Sequence, residues 1–295
     1  MQYYSLARAL LFQTLLCNVL AANIRSLFLF KDVLKSNTTA IKSSGFNHLI
    51  IYGVGVLENG DIMYYSSTPG SSDVLIASNG TYVGGTALSD MVKSFKTGTT
   101  DVTRVEISMN ARNVKELVDT QGTGSSTRLY RNFAALKTAW GLDAVNNFDE
   151  TIYDVVSTIV FGRMLESIGY KYSMTPRTDP GFWNMVRSQL NNGVAEPDNA
   201  EPDLLVDRVY LKCYDAGEGN DPNEWQGWLA MKVVPVVWVV NEAKGGNTPA
   251  DAESAFKSWA SKATLGGGGY WNDFDIEAEG SSYADYGNVL KNVFP

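Results

Sequence analysis

The chain has 295 residues, 44% hydrophobic and 19% charged, which suits one globular unit with a substantial core. Its 24 Lys and Arg against 32 Asp and Glu leave a net charge of −8, which argues against nucleic-acid or anionic-membrane partners, because phosphate contacts need clustered Lys and Arg. Two cysteines, Cys17 and Cys213, and a single histidine, His48, exclude a disulfide framework, a Cys/His zinc site and any Ser-His-Asp scheme that does not use His48; hydrolytic chemistry would fall to carboxylates.

Residues 1–22 read as a secretory leader: Arg8 precedes an apolar run from Ala9 to Ala22, with Val19-Leu20-Ala21 at the cleavage position. Two sequons, Asn37-Thr38-Thr39 and Asn79-Gly80-Thr81, agree with secretion. No later segment reaches the ~20 apolar residues of a membrane span. The expectation is a secreted, extracellular monomer, residues 23–295, with no membrane contact once the leader is removed.

From there strand-like runs alternate with helix-like runs, the pattern of a parallel α/β fold. The expected strands are Arg25 to Phe30, His48 to Tyr65, Val102 to Met109, Leu142 to Glu150, Lys171 to Pro176, Val206 to Asp215, Val233 to Asn241 and Gly269 to Asp275. Asn59-Gly60-Asp61 inside the second run signals a turn, so that strand extends into a hairpin. Thr151 to Gly169 carries apolar residues at helical spacing, Thr248-Pro249 begins another helix as N-cap and first helical residue, and Ser281 to Phe294 closes the chain. Eight strand–helix repeats in this length predict a single (β/α)8 barrel, whose site lies at the C-terminal ends of the strands.

The segment Gly141-Leu142-Asp143-Ala144-Val145-Asn146-Asn147-Phe148-Asp149-Glu150 carries the chemistry. Residues two apart share a strand face, so Asn146, Phe148 and Glu150 line the barrel interior and Glu150 lands at the rim. Asp149 points the other way unless a bulge swings it inward. The alternative for Glu150 is capping of the next helix or pairing with a basic residue. Gly53-x-Gly55 lacks the third glycine of a nucleotide loop, and Gly266 to Gly269 reads as a flexible lead-in to strand eight. Asp273 and Asp275 offer carboxylates to a metal but read as solvated loop groups. No cofactor or metal is expected. Aromatics make up 12% of the chain, more than a core needs, and sugar clefts use their faces; Trp225, Trp228 and Trp238 are candidates for stacking on sugars.

This segment resembles the strand-four motif of glycoside hydrolase family 18, DGxDxDxE, and its fungal secreted endo-β-N-acetylglucosaminidase-like form, through Gly141, Leu142, Asp143, Asp149 and Glu150. Ser108-Met109-Asn110 is similar to the end of strand three, Lys212-Cys213-Tyr214-Asp215 to the strand-six MxYD motif, and the run from Gly266 to Trp271 to the end of the barrel. The resemblance implies a retaining, substrate-assisted hydrolase of β-1,4-linked N-acetylglucosamine, in chitin oligomers or the N-glycan chitobiose core. It implies Glu150 as the acid, Tyr214 and Asp215 as holders of the acetamide, and Trp271 as the floor under the sugar, with Asn110, Asn146, Phe148 and Trp238 lining the site and Asp149 as a catalytic neighbour. Two motif aspartates are missing, replaced by Asn146 and Phe148. Phe cannot orient an acetamide, and losing such a group costs about 10²-fold in rate. The alternative is therefore a sugar-binding protein with the cleft kept and the chemistry lost.

Overall fold

The computed structural model describes residues 23–194, 203–241 and 245–295. The expected leader, residues 1–22, lies outside them. Eight parallel strands form the barrel: β1 (Ile24–Leu29), β2 (His48–Val56), β6 (Arg104–Met109), β7 (Ala144–Asn147), β8 (Lys171–Met174), β9 (Val206–Lys212), β10 (Val234–Trp238) and β11 (Gly267–Trp271). Each pairs with its neighbour, and β1 closes the ring by pairing with β11 on one side and β2 on the other. The fold is the expected (β/α)8 barrel. After β2 the chain turns at 57–61 into an antiparallel extension of β3 (Ile62–Tyr64), β4 (Val74–Ser78) and β5 (Thr81–Tyr82), of which only the first hairpin was expected.

Local chemistry sets the helix ends. Thr127 caps α4 (Arg128–Trp140) through its side chain, and Gly141 ends it at φ 63°, a left-handed position that suits glycine. Thr248 caps α8 (Pro249–Ala260) with Pro249 in its first turn, as the sequence indicated, and Asp251 completes a capping box that it did not. The helix expected from Thr151 begins at Val155, capped by Asp154, and forms α5 (Val155–Ile168).

The glycine run needs a correction. Gly267 to Gly269 lie inside β11, and a Cβ on Gly269 would fall 2.0 Å from Ser26 Oγ on β1. These glycines permit close strand contact at the seam of the barrel. Strand eight also stops earlier than expected: Asp273 and Asp275 start α9 (Asp273–Ala278), and both are buried and hydrogen-bonded rather than solvated.

The lower barrel interior is polar. Glu106, fully buried, accepts hydrogen bonds from Arg104 Nε at 2.6 Å, Tyr210 hydroxyl at 2.8 Å and Ser173. Arg104 also makes a two-pronged contact with Asp207 at 2.6 and 2.9 Å. His48 Nδ1 lies 3.1 Å from the Tyr210 hydroxyl, and burial together with nearby arginines pushes its pKa well down. An apolar and aromatic cluster fills the rest of the interior: Ile24, Phe28, Ile50, Phe148, Tyr210, Tyr214, Val234, Val236 and Trp271, of which Phe148, Tyr214 and Trp271 lie toward the C-terminal ends of the strands.

Candidate functional site

The C-terminal rim is built around the end of β7. That strand stops at Asn147, three residues short of the expected end, and Phe148, Asp149 and Glu150 belong to the following loop. Asn147 Oδ1 accepts from Asp149 N at 2.8 Å, and the Asp149 carboxylate, fully buried, accepts from the backbone N–H groups of Thr151, Ile152 and Tyr153 at 3.0 to 3.1 Å. Asp149 is therefore the cap of its own loop and not a group facing a ligand; three amides already occupy its oxygens. Asn146 also lies outside the cleft. It sits wholly inside the barrel, accepting from Ser108 and Thr175 hydroxyls at 2.9 Å and donating to Ser173 at 2.8 Å.

Phe148 does point inward, as its parity dictates. Its ring stacks on Trp271 at 5.5 Å with 30° between planes, and meets Tyr52 edge-on at 5.2 Å and Phe28 at 5.9 Å. Tyr214 lies parallel to Trp271 at 6.1 Å and edge-on to Trp238 at 5.5 Å. Trp238 is fixed by its indole N–H, which donates to Asp275 at 2.6 Å. Trp271 is only 8% exposed, so its face is covered by protein side chains. The Tyr214 hydroxyl is buried without a hydrogen-bond partner among the described residues, and burial raises its pKa well above the usual tyrosine value, with the Glu150 charge adding to the effect.

Glu150 reaches the rim with its side chain a third exposed. Its Oε1 accepts from Lys212 Nζ and lies 3.6 Å from Arg177, which also donates to the Glu150 backbone carbonyl at 3.2 Å. The basic pairing weighed from the sequence is thus present. Lys212, from the end of β9, holds its ammonium 4.4 Å from the Phe148 ring centroid and 5.2 Å from that of Tyr214. Burial lowers the Lys212 pKa, partly opposed by the Glu150 carboxylate.

Beside this cluster opens a groove of about 440 Å³ between β2, β6 and the loop after β7. Tyr52, Tyr65, Asn110, Arg112, Asn113, Phe148 and Glu150 are among its lining residues. Trp271, Tyr214, Trp238 and Asp215 do not line it. Asp215 is exposed, on a short 3₁₀ turn (Asp215–Gly217). Trp225 is core and donates to Asn220, while Trp228, 48% exposed, lies on the outer helix α7 (Pro222–Leu229). The sequence reading missed Lys212, Arg177, Tyr52 and Tyr65. Tyr52 had a signal, since it shares strand parity with His48 and Ile50; Lys212 had one in replacing the first residue of the MxYD-like motif.

No protein-family model matches the chain, and no curated protein matches it by sequence. Among solved structures, the catalytic domain of a family GH18 chitinase from the fern Peteris ryukyuensis superposes with a TM-score of 0.61 at 14% identity, over 92% of this chain and 98% of that one. The fold is family 18 chitinase-like. A tamarind chitinase-like lectin shares this chitinase-like barrel at a TM-score of 0.55 and 10% identity, over 91% of this chain and 99% of that chain. Catalytic-site mutants of active domain 2 of a Pyrococcus furiosus chitinase, complexed with chito-oligosaccharides, match at 0.57 and 11% identity, covering 92% and 96%. A chitinase-like barrel is therefore found in both catalytic and lectin proteins, and the side chains of the rim have to distinguish the two.

Proposed function

We propose that this protein binds an N-acetylglucosamine-containing glycan at the rim of the barrel without cleaving it. The observation that carries this reading is Phe148, stacked at 5.5 Å on Trp271 beneath the Lys212 ammonium. The well in which a reacting sugar would lie on a tryptophan floor is filled by protein. An acetamide there would meet a phenyl ring that can neither accept its N–H nor aim its oxygen. Glu150, the one acidic side chain lining the groove among the described residues, accepts at Oε1 from the Lys212 ammonium instead of facing a leaving group. The open groove alongside offers two tyrosine rings, two asparagine side chains and Arg112, a mixture of apolar faces and hydrogen-bonding groups suited to a sugar chain.

Hydrolysis by Glu150 is the second reading, favoured by its position at the rim with its carboxylate partly open to the groove. Calorimetry with chitotetraose, beside turnover of a fluorogenic chitobioside and a high-mannose glycopeptide, separates the two. Binding without release of fluorophore or glycan is the expected result. Release by the wild type that disappears in Glu150→Gln would replace the binding reading with the hydrolase.

A further inference from the structure

Lys212 has surroundings that glycan binding does not require. It ends the sixth strand of the barrel, where catalytic groups of such barrels gather, and its side chain is only 4% exposed. Its ammonium touches the edge of an aromatic cluster on one side and Glu150 on the other. A lysine moved out of water holds its proton less firmly, and its neutral amine is a nucleophile for carbonyl carbon. Burial is the main influence on Lys212 and acts in that direction. A carboxylate able to take the proton is already hydrogen-bonded to it, and the Tyr214 hydroxyl, buried and without a partner among the described residues, lies on the ring beside it. Glu150 and Phe148, which contact the ammonium, also line the groove.

We propose that Lys212 forms an imine with an aldehyde or ketone admitted through the groove, the open-chain form of a reducing sugar being the fitting class. Glu150 takes a proton from the ammonium. The nitrogen lone pair attacks the carbonyl carbon, the C=O π pair moves to oxygen, and proton transfer gives a carbinolamine. Glu150 returns its proton to the departing hydroxyl, which leaves as water while the nitrogen lone pair forms C=N. An ammonium and a carbonyl become a protonated imine and one water, with no change of oxidation state. The step needs Lys212 and the groove, and does not depend on affinity for a glycan chain.

The test incubates the full chain with glyceraldehyde and cyanoborohydride, the hydride donor that fixes an imine as a secondary amine, and maps the modified peptides over time. Lys212 is expected to be labelled about tenfold faster than Lys257, which is 61% exposed and paired with Glu253 across one helical turn. Glu150→Gln should slow labelling of Lys212 and leave Lys257 unchanged. Exposed lysines labelled while the Lys212 peptide stays unmodified would overturn the proposal in the wild type itself, whatever the variants do. Equal Lys212 rates in wild type and Glu150→Gln would overturn the step as written. Chitotetraose binding with no Lys212 adduct would overturn the imine and leave the binding reading standing.

Discussion

Phe148 and Trp271 come from opposite sides of the barrel, on the loop after β7 and at the end of β11, and meet as stacked rings 5.5 Å apart. This contact makes the top of the barrel part of the core. It joins Phe28, Tyr52 and Tyr214 to one apolar layer over the polar network of Glu106. The groove is displaced to the side of that layer, against the β3–β4 extension.

Phe148→Ala should therefore behave as a core truncation. Removing a buried Phe side chain costs about 3–5 kcal/mol, the spread depending on how far the site collapses. Chemical denaturation of wild type and variant would show the loss as a lower midpoint with an unchanged slope. A change below 1 kcal/mol would mean that the ring does not hold the layer together.

Arg104 links two carboxylates in the lower barrel. It is bonded to both Glu106 and Asp207, and Arg104→Met leaves two carboxylates in a largely dry interior. Breaking a buried pair in this way costs about 3–5 kcal/mol. Lys257→Ala, which removes an exposed pair with Glu253, should change stability by less than about 0.5 kcal/mol. Unfolding midpoints of the two variants, measured side by side, check the contrast.

Asp149→Ala tests the assignment of that carboxylate to the backbone. Three amides would lose their acceptor, at a cost of about 1–3 kcal/mol, and the loop carrying Glu150 would exchange its amide protons faster. Hydrogen exchange at Thr151, Ile152 and Tyr153 is the measurement. Unchanged protection there would show that the amides are held by something else.

Asp273 predicts a pH dependence. Its carboxyl is fully buried, and desolvation pushes its pKa up to about 6 despite hydrogen bonds from Phe30 N, Lys31 N and Ser36. A carboxyl whose folded value is raised contributes stability that is present below its unfolded value, near 3.8, and is lost as pH rises through about 6. The full difference is roughly 3 kcal/mol. His48, depressed in the fold, acts with the opposite sign, stabilising above its ordinary 6.5 and losing that contribution as pH falls. The difference in melting temperature between wild type and Asp273→Asn isolates the first effect: the variant should gain on the wild type between pH 4 and 6. A constant difference across that window would refute the assignment.

The sequence by itself determined the staves of this barrel and which side chains look inward. Alternation along a strand is a local property, so Phe148 could be assigned to the interior from its spacing to Asn146, and Thr248-Pro249 announced a helix start without any partner. Tertiary structure decided where the staves end and what faces each inward group. The Phe148 amide still reaches Met109 on β6, but beyond it side-chain acceptors on Asn147 and Asp149 take up the amides of Asp149 and Thr151 and the strand ends, a choice open to either residue type until the loop closes. Lys212 meets Glu150 across 62 residues of chain, and Gly269 is required by a serine 243 positions earlier. Such pairings follow from barrel closure, which brings distant strand ends to a common rim and leaves no trace in local periodicity.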